Sequence, residues 1–106
     1  MRVLHLPLKK EWYEMIERGE KTEEYREQSE YWWRRFVQGT YYSDWEKHYT
    51  EHDLKQYDAV KFSYGYTKRT MTFECRGITI GQGRPEWGAP PHETFIIKLG
   101  KRIVKL

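Results

Sequence analysis

The stretch Gly19-Glu20-Lys21-Thr22-Glu23-Glu24-Tyr25-Arg26 decides how the chain is read, because it turns the end of a helix into a densely charged strand. Glycine closes a helix at almost no cost, since the left-handed conformation taken just after the last turn disfavours a Cβ. The β-branched Thr22 and the aromatic Tyr25 then favour extended backbone. Strand alternation puts Thr22, Glu24 and Arg26 on one face, with Glu23 and Tyr25 on the other. A carboxylate two residues from a guanidinium on one face is placed to pair with it. Lys21 falls at the turn, where alternation does not fix its direction.

Working outward, residues 3–6 read as a strand that Pro7 ends. Residues 9–18 carry Trp12, Tyr13 and Ile16 at helical spacing, with Lys and Glu elsewhere, so one stripe of that helix faces the core. Ser29 is placed to cap a second helix with Trp32, Trp33, Phe36 and Val37 along one side, and Gly39 closes it. Tyr42, Trp45 and Tyr49 recur at three- and four-residue spacing, which gives a short third helix or an irregular lid before Tyr57. Residues 59–63 form a strand, and Tyr64-Gly65-Tyr66-Thr67-Lys68 turns into a longer one over residues 70–80. Gly and Pro make residues 81–91 a loop. Two last strands, 94–99 and 103–106, are separated by a turn at Gly100-Lys101. There is no internal repeat and no linker. Strands scattered around two or three helices in so short a chain predict an α+β barrel, with the helices packed outside or capping one end.

Composition bounds the function. The 106 residues make one domain, residues 1–106, with a single core. A net charge of +3 gives a mildly basic surface without the dense cationic face of a strong non-specific nucleic-acid binder, so any such role rests on a local site. The mean hydropathy of -1.00 is low, but 17% aromatic residues supply large buried areas and predict an aromatic-rich core. The single cysteine, Cys75, excludes an intramolecular disulfide and a cysteine-based zinc cluster. No stretch approaches a membrane span and the N-terminus has no signal-like segment, which makes a cytoplasmic protein the expectation. No cofactor is expected, and oligomeric state is not encoded in any visible pattern.

The charged cluster supports two readings. As a pocket floor, Lys21 and Arg26 hold an anion or a nucleobase carbonyl, while Glu24 accepts from an amine or shuttles a proton. As scaffold, Glu24 and Arg26 tie two strands together and Lys21 is solvated. Tyr25, Trp32, Trp33, Tyr64, Tyr66 and Trp87 are the rings able to stack on a base, although Trp32 or Trp33 belongs to the core. Trp87 sits in a Gly/Pro loop where exposure is natural, and Arg84 and Glu86 beside it complete a rim. His48-Tyr49-Thr50-Glu51-His52 has a zinc-peptidase spacing, but no third ligand accompanies it. Cys75 reads as a small core residue.

The pattern G-x-K-x-x-E-x-R, formed by Gly19, Lys21, Glu24 and Arg26 after an N-terminal strand and helix, resembles the signature of the ASCH domain family, which has a PUA-like β-barrel. Tyr31-Trp32 with Arg35-Phe36, Phe62-Ser63-Tyr64-Gly65-Tyr66, Gly83-Arg84-Pro85-Glu86-Trp87-Gly88 and Phe95-Ile96-Ile97-Lys98-Leu99-Gly100 extend the resemblance over the whole chain. It implies a mixed barrel that binds RNA or other nucleic acid in a cleft beside it. Some small members of that family are amidohydrolases on N4-acetylcytidine that use a lysine, a threonine and a glutamate. Lys21 matches the lysine, but the threonine position is Glu24 here, so the nucleophile is missing and that activity does not carry over.

Three functions follow as expectations. The first is a module for single-stranded RNA or a modified nucleoside or nucleotide, with Lys21, Arg26 and Arg84 facing oxygens, Glu24 reading an exocyclic amine, and Tyr64 or Trp87 stacking. The second is a small hydrolase on a nucleoside or RNA, of amidohydrolase or ribonuclease type, with Lys21 and Glu24 as the acid/base pair and Glu86 in support. The third is a partner-binding domain that uses its aromatic segment 41–49.

Overall fold

The alternation of the first strand sets the core layer: Leu4, Leu6 and Leu8 are buried while His5 and Pro7 are exposed. A computed structural model describes residues 1–37 and 54–104. Its elements are β1 (Val3–Leu8), α1 (Lys10–Glu17), β2 (Glu23–Arg26), α2 (Glu30–Phe36), β3 (Ala59–Tyr64), β4 (Thr70–Gly81) and β5 (Thr94–Ile103), with a 3-10 turn at Pro85–Trp87. The expected third helix, its His48–His52 spacing and the closing Gly39 all lie outside the described residues.

The five strands form one sheet in the order β1-β3-β4-β5-β2, curled into a half-barrel. β1 runs parallel to β3, and the other pairings are antiparallel. The fold is therefore α+β with a mixed sheet, and the two helices account for the helical part of the described chain. Among the described residues this order leaves β1 and β2 as the two free edges, and Arg26 of β2 reaches Pro7 of β1 across the gap.

Two boundaries differ from the sequence reading. Pro7 does not end β1, which continues to Leu8. The Leu8 carbonyl accepts from Gly65 N on the β3 side, so the backbone of Pro7 points the other way, off the sheet, where the missing N–H leaves no ladder bond unmade. Nor does a turn at Gly100-Lys101 divide the last strand, because β5 runs unbroken from Thr94 to Ile103. Glycine at 100 serves packing there: a Cβ would stand 2.8 Å from Glu74 Oε1. Glu74 Oε1 accepts from Lys101 N, and two irregularities around Cys75 in the β4–β5 ladder offset each other, so the register recovers.

Aromatic rings supply a large share of the core beside its Leu, Ile and Val side chains, in line with the composition. Phe36 packs edge-on to Phe95 at 5.0 Å between centroids, Trp33 lies 6.0 Å from Phe95, and Phe62 meets Phe73 at 6.1 Å. Ser29 caps α2 by accepting from Trp32 N. That cap and the apolar stripe Trp33, Phe36 and Val37 seat the helix against β5. Trp32 is only partly buried and stacks on Phe36 at 5.2 Å.

Candidate functional site at the seam of the sheet

The site begins with how α1 stops. Gly19 takes φ 81, its N–H donates to the Ile16 carbonyl, and Glu20 N reaches back to Met15, the bond pair of a Schellman motif. Lys21 N donates to the same Met15 carbonyl at 3.1 Å, so the chain is still tied to the helix when it passes Lys21. This fixes the direction that strand alternation leaves open. The side chain is drawn beneath α1, between Trp12 and Tyr25, with Nζ 5.1 and 4.7 Å from the two ring centroids. Only 1% of Lys21 is exposed, which corrects the expectation of a solvated amine.

The partners of Lys21 compensate its burial. Nζ lies 3.1 Å from Glu24 Oε1 and donates to the Trp87 carbonyl. Glu24, also buried, accepts from Arg26 Nη1 with its other oxygen, as the shared strand face predicts. Arg26 then reaches across the gap between the free edges: Nη1 also donates to the Tyr25 carbonyl at 2.8 Å and Nη2 to the Pro7 carbonyl of β1 at 3.0 Å. Its guanidinium stands 5.4 Å over the Trp32 ring. A side chain thus closes the half-barrel where a backbone ladder does not. Burial lowers the pKa of Lys21 and the Glu24 carboxylate pulls it back up.

On the other face of β2, Tyr25 fastens the loop that follows β4. Its hydroxyl donates to Glu23 Oε1 at 2.9 Å and accepts from Arg84 N at 3.1 Å. Burial, the largest influence, pushes this hydroxyl from 10.0 to about 12. Two glycines allow the loop to lie this close. A Cβ at Gly83 would meet the Tyr25 ring at 2.5 Å, and one at Gly88, where φ is 94, would meet Trp12 at 2.9 Å. With Lys21 holding the Trp87 carbonyl, residues 83–88 form a strap across the seam.

A cleft of about 280 Å³ opens between strap and β1, lined by Pro7, Leu8, Lys9, Trp12, Glu24, Tyr25, Arg26, Trp87 and Gly88. Glu24, Arg26 and Trp87, all expected from the sequence, come together here. Lys21 lies behind the floor, held by Glu24 and the strap, and is not part of the lining. Arg84 is exposed and stacks 4.6 Å over Trp87 on the strap, while Glu86 is exposed on the 3-10 turn and does not line the cleft. Tyr64 stands elsewhere, packed edge-on against Tyr13 at 5.2 Å and beneath Arg69 at 4.9 Å. The lining residues Trp12, Lys9 and Pro7 were not singled out as site residues. Trp12 reads as core from its helical spacing, and only the contact with Gly88 explains why it faces the cleft. Among the described residues no group of three or more His, Cys, Asp or Glu side chains is arranged to hold a metal. Cys75 is partly buried, and burial pushes its thiol up, which suits a packing role.

Comparison with family models, with curated proteins and with solved structures returns no match to this chain. Among the described residues, no helix is long and apolar enough to cross a membrane.

Proposed function

We propose that the chain is a nucleic-acid-binding domain of the ASCH type, with a PUA-like barrel, whose seam cleft takes one base of a single-stranded RNA or a modified nucleoside. The observation that carries the reading is Arg26. Of its five N–H groups, Glu24, Tyr25 and Pro7 take three, and among the described residues nothing takes the other two. The guanidinium is locked in place by those three bonds and presents donors to a small cleft with aromatic walls at Trp12, Tyr25 and Trp87. Two cations against one carboxylate leave the floor with one positive charge. Such a floor suits carbonyl or phosphate oxygens, and the rings suit a planar group. The cleft holds one such group rather than a run of bases.

The desolvated amine of Lys21 beside Glu24 favours a second reading, a hydrolase on an acylated nucleoside or RNA in which that pair moves protons. It requires the strap to lift from Lys21, since the amine lies behind the cleft floor. Turnover of acylated nucleosides by the parent protein distinguishes this reading from binding alone.

The test of the binding reading is quenching of tryptophan emission by single nucleosides, alongside binding of labelled single-stranded RNA over a salt series. Parent protein is expected to bind both, and Arg26→Lys, which keeps the charge but loses the fork, to weaken both roughly tenfold. Equal binding by a correctly folded Arg26→Lys protein would remove the cleft from the account.

A further inference from the structure

Among the described residues, the ring most open to solvent lies outside the cleft. Tyr66, at the tip of the β3–β4 hairpin, is 97% exposed. The tip that carries it is nevertheless firmly built. Gly65 turns with φ 59, Thr67 Oγ1 donates to the Tyr64 carbonyl at 2.6 Å, Ser63 Oγ donates to the Gly65 carbonyl at 2.7 Å, and Tyr64 N donates to Arg69 O at 2.9 Å. At the hairpin base, Arg69 lies over both Tyr13 and Tyr64 and pairs with Glu17 at 3.0 Å. These bonds fix the backbone that presents the uncovered tyrosine.

The tip is also joined to the cleft. Tyr64 is the register partner of Leu8, Gly65 N donates to the Leu8 carbonyl at 2.8 Å, and Leu8 and Lys9 line the cleft. Two residues of chain and one strand spacing put the Tyr66 Cα at most about 12 Å from that of Leu8. Lys9, Lys10 and Lys68 lie on these segments, all exposed, and among the described residues none of them enters an ion pair.

We infer that the hairpin tip is a second contact for single-stranded nucleic acid, in which Tyr66 stacks on a base next to the one in the cleft, Lys9 faces the phosphate between them and Lys68, on the β4 side of the tip, faces the phosphate beyond. The inference rests on the cleft reading and deepens it, because it makes the ligand a strand and not a free nucleoside. Aromatic stations at the cleft and at Tyr66, with Lys9 between them and Lys68 beyond, match a polyanion whose bases alternate with phosphates. An acidic protein surface would use the lysines but has no regular use for a fully exposed ring.

Binding of a fluorescein-labelled single-stranded RNA of roughly ten nucleotides tests the inference on the full chain. Tyr66→Ala is expected to weaken binding about five- to 150-fold, as one lost base stack does. Tyr66→Phe, which keeps the ring, should bind like the parent, and Lys68→Gln should lower the salt dependence by about one unit of slope. Single nucleosides should bind Tyr66→Ala and parent alike. RNA binding by Tyr66→Ala equal to the parent would overturn the hairpin contact while leaving the cleft reading intact. Loss in Tyr66→Ala with no loss in Arg26→Lys would retain the hairpin and overturn the cleft. No RNA binding by the parent would overturn the hairpin contact, and no binding of single nucleosides either would overturn the cleft as well.

Discussion

Glu24 with Arg26 and Glu17 with Arg69 are the same chemical pair in two settings. Each arginine also lies over an aromatic ring, Arg26 over Trp32 and Arg69 over Tyr13 and Tyr64. At the seam the carboxylate and guanidinium side chains are 6% and 17% exposed, whereas at the hairpin they are 33% and 54% exposed. Water screens the hairpin pair and offers both groups an alternative partner. Among the described residues the seam groups are held by each other, Lys21 and a few carbonyls, so each depends on the rest being present and charged. Similar contacts thus make a replaceable brace in one place and an interdependent cluster in the other.

Glu24→Gln is expected to separate the two settings most widely. It removes the carboxylate that both the buried Lys21 and the partly buried Arg26 contact, and loss of one partner in such a cluster removes about 3–5 kcal/mol. Urea denaturation measures this, and a loss under about 1 kcal/mol would mean that water reaches the seam.

Tyr25→Phe has a smaller effect and sharpens the role of the strap. Removing the hydroxyl frees Arg84 N and Glu23, and is expected to remove about 1 kcal/mol at neutral pH. The same substitution changes the alkaline limb. Because the folded Tyr25 hydroxyl titrates at about 12 and the unfolded one at 10.0, its contribution is whole below pH 10.0 and is lost as pH rises through 12. Lys21 acts in the opposite sense: its folded pKa is lowered from 10.5, so between the two values stability rises with pH. Denaturation midpoints above pH 10.0 should therefore fall in the parent more steeply than in Tyr25→Phe. Parallel curves would show that the hydroxyl is not held by the strap.

Glu17→Gln is expected to do least. An exposed pair of this kind contributes about 0.2–1 kcal/mol, and what it contributes should shrink further at high salt. A loss comparable to that of Glu24→Gln would erase the distinction between the two settings.

The legible parts of the fold were those determined by neighbours in the chain. Gly19 as helix terminator, the pairing of Glu24 with Arg26 and the Ser29 cap all follow from periodicity and local hydrogen bonding. What was not legible depends on residues far away. The direction of Lys21 is set by a backbone bond to Met15 and by the Trp87 carbonyl, and its burial required the strap as a lid. Pro7 reads as a strand terminator unless the strand is known to be an edge, and Gly100-Lys101 reads as a turn unless Glu74 is known to lie opposite. Tyr64 reads as one of the rings able to stack on a base, yet its ring turns inward onto Tyr13. Trp12 was hidden by an ordinary helical stripe.

The position of Pro7 bears on what the molecule avoids. A curled sheet that stops short of closing offers two unpaired margins to any other extended chain, including another copy of itself. On β1 an approaching strand meets, at Pro7, a nitrogen with nothing to donate and a carbonyl already occupied by Arg26. The guanidinium that furnishes the cleft therefore also guards the margin against fibre-like stacking. Substitutions at position 26 will be read most clearly when turbidity on standing is followed together with ligand affinity.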